Sequence, residues 1–307
     1  MPLKEQSRVA PGGACPGAGP EDHRHKWSRA FADLTKIRIT VLSTLSAATG
    51  YVIYSRRIET GMVTCAAGVL LAAMGACALN QCQDRDLDAR MNRTRNRPIP
   101  AGILSLRAAL AVSAILIISG IVLLWTRHNP EAALAASGAI AWYNLLYTYL
   151  KRVWAFAVVP GAAIGALPPL IGWTAAGGGL LDPRIVALAF FIFMWQVPHF
   201  WLLLFQHGAD YQQAGLPSVT AVFSTRQLMR VTSVWMLATV ASSMLLPLFL
   251  LANSRWAVLG LAIAGLWLLG HSFRFLRRPP ESFLPVFRAL NIYVLLIMAL
   301  LAAEALL

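Results

Sequence analysis

Long apolar runs recur through this chain of 307 residues and leave few folds open to it. Each run is long enough to cross about 30 Å of hydrocarbon. Only 13% of the residues are charged, where a soluble domain has about 25%. The sequence therefore predicts an all-α, polytopic membrane protein of about nine transmembrane helices in a lipid bilayer. The approximate spans are 37–55, 62–82, 104–125, 130–149, 155–174, 185–205, 228–251, 255–271 and 287–306.

The basic residues predict the orientation of these helices. The chain has 26 Lys and Arg against 13 Asp and Glu. With the N-terminus inside, most of the basic residues fall in cytoplasmic segments, as the positive-inside rule requires. No aromatic–basic motif of the nucleic-acid-binding kind accompanies them, so no nucleic-acid partner is expected. The prediction is an N-in/C-out bundle with two polar segments, 83–103 and 206–226, on the cytoplasmic face.

The first residues differ from the rest of the chain. Residues 1–26 have no apolar core, unlike a secretory signal peptide, and Glu5, Glu21 and Asp22 interrupt any resemblance to a mitochondrial transit peptide. We expect a disordered cytoplasmic tail over 1–30 and one intramembrane domain over 31–307. The same observations favour the inner membrane of a bacterium.

The first polar segment contains a regular row of oxygen ligands. Asn80, Asp84 and Asp88 are spaced four residues apart, so on a helix they share one face, whereas Asp86 points away. Mg²⁺ commonly binds through one or two carboxylates together with substrate phosphates. The row therefore predicts a metal site for a diphosphate substrate, with Asp84 and Asp88 as catalytic residues and metal ligands and Asn80 as a further ligand. The alternative is a solvated loop whose acidic and basic residues pair with each other.

Several basic residues are predicted to lie on the cytoplasmic side of the membrane, as this row does. They can bind phosphate oxygens or act simply as topology markers. The candidates for diphosphate binding are Lys36, Arg38, Arg93, Arg97, Lys151 and Arg152.

The second polar segment offers a different set of side chains. Asp210 is predicted to be a catalytic residue that binds a second metal or orients diphosphate, and a capping carboxylate is the alternative. His199 lies beside Pro198 within an apolar span, where a buried, hydrogen-bonded histidine is the alternative to a ligand. The predicted contacts for the acceptor substrate are Trp195, Gln196, His199 and His207.

Together these residues resemble the UbiA superfamily of intramembrane prenyltransferases, and within it the haem-modifying branch. Residues 80–98 contain D-R-D-L-D-x-x-M-x-R-T-x-x-R-P, and residues 195–215 contain W-Q-x-P-H-F followed by D-Y-x-x-A-G. Residues 34–38 and 147–173 add weaker similarity. The segment 153–161 departs from the family pattern, which leaves details of the acceptor pocket open.

The resemblance implies a nine-helix bundle that uses Mg²⁺, farnesyl diphosphate as donor and haem B as acceptor. Loss of diphosphate gives an allylic cation, a haem vinyl group attacks it, and water completes the product, haem O. A haem A synthase is then a possible downstream partner. The alternatives are a prenyltransferase acting on an aromatic quinone precursor and, with less support, a transporter, since intramembrane charge is common in transporters.

Overall fold

The computed structural model describes residues 20–277 and 282–307, and all regular secondary structure in these ranges is helical. The N-terminal part contains α1 (Pro20–Thr35), α2 (Ile37–Ser55), α3 (Thr60–Arg90), α4 (Leu106–Arg127), α5 (Pro130–Ala141), a π-helical turn (Trp142–Tyr147) and α6 (Thr148–Leu150). The C-terminal part contains α7 (Val158–Ala175), α8 (Pro183–Gln213), α9 (Val219–Val222), α10 (Thr225–Met244), a 3₁₀ turn (Leu246–Phe249), α11 (Arg255–Arg277) and α12 (Leu284–Leu306).

Within the described ranges, eight helical segments are long and apolar enough to cross a membrane. They correspond to eight of the nine predicted runs, and the all-α membrane fold is confirmed. The remaining run, 130–149, is helical but divided. Its pieces of 12, 6 and 3 residues follow one another without a break, and at about 1.5 Å per residue they reach roughly across the hydrocarbon. The ninth crossing and the N-in/C-out orientation remain predictions.

The two predicted polar loops are partly helical. Helix α3 continues to Arg90 and α8 continues to Gln213, although the apolar part of α8 ends at Gln206, close to the predicted span end at 205. The prediction ended both helices where the apolar residues end. In α3 the buried aspartates beyond that point pair with basic side chains from other segments, Asp84 with Lys151 and Asp88 with Arg97, so they continue the helix at little cost.

Part of the segment predicted as a tail is helical. Residues 1–19 lie outside the described residues, and α1 begins at Pro20, within the predicted tail 1–30. Its last turn packs on α3 because Leu34 is buried and Gln81 Nε2 donates to the carbonyl oxygens of Asp33 and Leu34. The division of the chain into a tail and one domain remains a prediction.

Close backbone contact fixes α7 against α2. A Cβ atom on Gly172 would lie 1.8 Å from the carbonyl oxygen of Ala47, and one on Gly50 would lie 2.0 Å from that of Pro169. The largest apolar cluster includes Trp173 of α7, Phe191 of α8 and Tyr293 of α12. These contacts hold the helices that carry the candidate site.

Candidate active site

The aspartates at the end of α3 lie in two different environments. Asp84 is 4% exposed and Asp88 is 1% exposed, whereas the Asp86 side chain is 78% exposed and pairs with Arg85. The predicted face is therefore the buried one, and the prediction that Asp86 points away is confirmed.

Two basic side chains reach Asp84 from the segment after α6. Lys151 Nζ pairs with Oδ2, and Arg152 Nη2 lies 3.1 Å from Oδ1. Arg152 Nη2 also donates to the carbonyl oxygen of Gln83 at 2.7 Å. The buried carboxylate is thus held between two cations supplied by a distant part of the chain.

Asn80 connects this group to three other segments of the chain. Its Oδ1 accepts from Lys36 Nζ at 3.0 Å and from the Tyr143 hydroxyl at 3.0 Å. Its Nδ2 donates to Asp84 Oδ2 at 2.9 Å and to Thr148 Oγ1 at 3.0 Å. Burial lowers the pKa of Lys36 to about 8. Five of the predicted site residues therefore form one network, namely Lys36, Asn80, Asp84, Lys151 and Arg152.

Arg97 completes the site at Asp88. Its Nη1 contacts Oδ1 at 2.8 Å and Oδ2 at 2.7 Å. Thr94 Oγ1 donates to the Asp88 carbonyl oxygen at 3.0 Å, which folds the following segment back over the helix end. Arg93 and Arg38 are exposed, and the structure shows no ion pair for either within its described ranges.

The second polar segment lies beside the first. Met91, at the end of α3, packs in one cluster with Ala214 and Leu216, and Leu87 and Tyr211 pack against it. Asp210 is half-buried in the last turn of α8. The structure therefore places the helix end that carries Asp210 next to the paired aspartates, while its role as a metal ligand remains a prediction.

The oxygen ligands are suitable for Mg²⁺ without forming a dense cluster. Within residues 20–277 and 282–307 there is no group of three or more His, Cys, Asp or Glu side chains that could hold a metal. Asp84 and Asp88 lie one helical turn apart and are both buried, and Asp84 accepts from the amide of Asn80. Two carboxylates fit an ion that takes its remaining ligands from water and phosphate.

The predicted acceptor contacts lie on α8. His199 Nδ1 is 2.7 Å from Asn291 Oδ1, and its ring lies between Trp195 and Phe287, with centroids at 4.8 and 4.9 Å. Nε1 of Trp195 is buried and has no hydrogen-bond partner among the described residues. The predicted alternative for His199, a hydrogen-bonded histidine, thus describes its present contacts.

Of the two other predicted acceptor contacts, the structure describes the side chain of Gln196 but not that of His207. Gln196 faces α7, since a Cβ atom on Gly165 would lie 2.4 Å from its Oε1. His207 belongs to α8, but its side chain lies outside the described part of the structure.

Several residues of the site were not predicted. Tyr143, Asn144 and Thr148 lie in or beside the π-helical turn, and all three bond to α3 side chains or backbone. Asn291 and Phe287 lie on α12, where they contact His199. π-Helical turns are often found at functional sites, but a single sequence gives no direct sign of one.

These features define an α-helical membrane protein with a carboxylate and cation site at one end of its bundle. Residues 39–302 match the UbiA prenyltransferase family, and the chain belongs to that family. It is therefore a prenyltransferase and a multi-pass membrane protein.

Individual curated proteins indicate which members of the family this chain is similar to. The chain is 36% identical to a protein from Oleidesulfovibrio alaskensis named protoheme IX farnesyltransferase, over 91% of this chain and 97% of that protein. It is 41% identical to a protein of the same name from Geobacter sulfurreducens, over 73% and 83% of the two chains.

Solved structures show the same fold at low identity. A structure described for digeranylgeranylglyceryl phosphate synthase matches with a TM-score of 0.75 and 19% identity, over 92% of this chain and 99% of that one. A UbiA homologue from Archaeoglobus fulgidus, bound to GPP and Mg²⁺, matches with a TM-score of 0.67 and 15% identity, over 90% and 99%.

Proposed function

We propose that this chain transfers a farnesyl group from farnesyl diphosphate to a vinyl group of haem B, giving haem O. The observation that carries the proposal is the buried aspartate pair, Asp84 and Asp88, surrounded by basic side chains. The curated relatives named above favour haem as the acceptor over an aromatic quinone precursor.

The basic side chains suit the departure of diphosphate. When the bond between the farnesyl C1 and oxygen breaks, its electron pair stays on diphosphate, and the negative charge there increases. Lys151, Arg152 and Arg97 now neutralise carboxylates, and they would exchange these partners for phosphate oxygens. Once they face phosphate, these positive charges would stabilise the negative charge that develops on the departing diphosphate. Lys36 lies in the same network and would contribute a further charge.

Residues Asp84 and Asp88 are the proposed ligands of Mg²⁺, with Asn80 and Asp210 as further candidates. When bound, the ion would add positive charge at the leaving group. Support for this cofactor comes from the oxygen chemistry of the site and from the metal-bound UbiA homologue. Arg93 and Arg38 remain proposed diphosphate contacts because both are exposed and their guanidinium groups can turn toward the site.

The aromatic side chains around His199 are suitable for contact with the proposed acceptor, haem B. Asn291 Nδ2 donates to the Phe287 carbonyl oxygen, so its Oδ1 accepts from His199 Nδ1. That hydrogen bond leaves the His199 Nε2 lone pair for the acceptor. The indole N–H of Trp195 is buried without a partner, and a haem carboxylate would supply an acceptor for it.

The remaining assignments follow from this reaction. The proposed location is a bacterial inner membrane with the active site facing the cytoplasm, where most of the basic residues are predicted. Haem O would pass to an enzyme that oxidises it further, and a haem A synthase is the proposed partner.

The proposal is tested in cells that lack their own haem O synthase. Cells expressing this chain should contain haem O, identified by chromatography and mass spectrometry of extracted haem. Asp84→Asn should reduce the yield by about 100-fold or more, whereas Asp86→Asn, in the same segment but exposed, should leave it near the wild-type value. Recovery of haem B alone from cells with correctly inserted protein would contradict the haem assignment.

A further inference from the structure

A cleft separate from the proposed active site lies between one end of α10 and one end of α11. It is lined by Arg226, Met229, Arg230, Leu276 and Arg277. We call it the arginine cleft. None of its residues belongs to the aspartate network or to the aromatic group around His199.

The arginine cleft opens at the same end of the bundle as the aspartates. Helix α8 ends at Gln213, and the chain passes through the short α9 before α10 begins at Thr225. Helix α11 packs along α10 and ends at Arg277. In the predicted orientation this is the cytoplasmic side, where anionic lipid headgroups attract basic residues.

Positive charge dominates the described lining of the cleft. Among residues 20–277 and 282–307, three guanidinium groups line it and no carboxylate does. None of the three arginines takes part in an ion pair within the described ranges. The backbone at the start of α10 is already capped by Ser224 and Gln227, so an anion would be recognised by the side chains. Like charges in one cleft repel, and a bound anion removes that cost.

Apolar side chains accompany the arginines and continue along the outer faces of the two helices. Met229 is a buried lining residue, and the Arg277 guanidinium lies 4.0 Å from the centroid of the Phe273 ring, which is 53% exposed. Further along the two helices, Val234 and Leu266 are 63% and 71% exposed. A charged end followed by an exposed apolar surface matches a phospholipid, whereas a free phosphate ion would use only the charged end.

The geometry points to a binding site for an anionic phospholipid in the arginine cleft. The phosphate is held by Arg226, Arg230 and Arg277, and the acyl chains lie along the exposed apolar faces of α10 and α11. Arginine binds phosphate oxygens in bidentate fashion. The inference does not depend on which acceptor the enzyme uses.

The test compares lipid binding by the full chain and two triple variants in nonionic detergent. Native mass spectrometry measures how much phosphatidylglycerol or phosphatidylcholine each protein retains. The cleft variant carries Arg226→Gln, Arg230→Gln and Arg277→Gln. The control variant carries Arg57→Gln, Arg127→Gln and Arg255→Gln, which remove three exposed arginines at the other end of the bundle.

We expect the wild type and the control to bind phosphatidylglycerol about tenfold or more tightly than the cleft variant. Phosphatidylcholine should show no such difference. Equal phosphatidylglycerol binding by all three proteins would overturn the inference. Displacement of phosphatidylglycerol by inorganic pyrophosphate at equal concentration would also overturn it, because the cleft would then be a site for free phosphates.

Discussion

Arg97 Nη1 contacts both carboxylate oxygens of Asp88, at 2.8 and 2.7 Å, although the residues are nine positions apart. The carboxylate is buried, and the Arg97 side chain is 22% exposed. The contact holds the segment after α3 against the end of the helix. Asp88 thus depends on Arg97 for its charge balance and for its position.

Arg97→Gln should therefore weaken both the fold and the reaction. Removing one partner of a buried ion pair leaves an uncompensated charge, which costs about 3 kcal/mol. We expect a lower apparent melting temperature in detergent and at least about tenfold less prenyl transfer. Arg95→Gln, two residues away and exposed, should match the wild type in both assays. Wild-type activity and stability in Arg97→Gln would show that the pair is dispensable.

The contacts of His199 predict that a substitution at Asn291 weakens binding of the acceptor substrate and not of the donor. Asn291→Leu removes the only side-chain hydrogen bond that the described residues make to this ring. KM for haem B should rise about tenfold, since loss of one hydrogen bond of this kind costs about 1–1.5 kcal/mol. KM for farnesyl diphosphate should change little. Steady-state kinetics with each substrate varied in turn would measure both constants.

His271 offers a matched control for His199. Each histidine lies four residues after a tryptophan, and the ring centroids are 4.8 Å apart in both pairs. His271 is half-buried on α11, where its Nδ1 donates to the Trp267 carbonyl oxygen at 3.0 Å. His199→Ala should raise KM for haem B, and His271→Ala should not. If His199→Ala raised KM equally for haem B and for farnesyl diphosphate, His199 would stabilise the structure rather than contact the acceptor.

The aspartate row could be predicted because its spacing and its chemistry agree. Asn80, Asp84 and Asp88 repeat every four residues, and the structure confirms that they share a buried face. Lys151 and Arg152 were predicted from their charge and their place at a helix end, and both reach Asp84. Buried charge is costly in a membrane protein, so carboxylates aligned at a helix end are informative.

Single polar residues inside apolar helices could not be predicted in this way. Tyr143 is 63 positions from Asn80, and Asn291 is 92 positions from His199. Each pair meets only because of how the helices pack, and no local pattern encodes that packing. The ends of α3 and α8 were missed for a related reason, since hydropathy shows where apolar residues stop but not where polar residues pair.

His128 predicts a dependence of stability on pH. Its Nδ1 donates to the Ala175 carbonyl oxygen at 3.1 Å, and its Nε2 lies 3.0 Å from Thr64 Oγ1. Burial lowers the pKa of His128 below its usual 6.5. At a pH between the folded pKa and 6.5 the unfolded chain binds more protons, so stability is complete above about 6.5 and falls as the pH drops.

The apparent melting temperature in detergent should therefore decrease from pH 7.5 to pH 5. His128→Asn should be less stable at pH 7.5 and show a smaller decrease, because the titrating ring is gone. His271→Asn should keep the wild-type decrease. The same pH dependence in His128→Asn as in the wild type would assign the effect to other groups.

The approach of α2 and α7 predicts a strong effect of one added methyl group. A Cβ atom on Gly172 would lie 1.8 Å from the Ala47 carbonyl oxygen, and neither backbone can move without separating the helices. Gly172→Ala should therefore lower the free energy of unfolding by at least about 1–3 kcal/mol.

Gly270→Ala, on α11, is the control. A Cβ atom there meets no atom within 4 Å, and the variant should be neutral or stabilising, since alanine favours a helix over glycine by about 1 kcal/mol. Size-exclusion chromatography after heating in detergent would measure both. Because α7 also packs on α8, which carries His199, Gly172→Ala should lower prenyl transfer together with stability, and equal behaviour of the two variants would show that the helix contact is looser than the structure indicates.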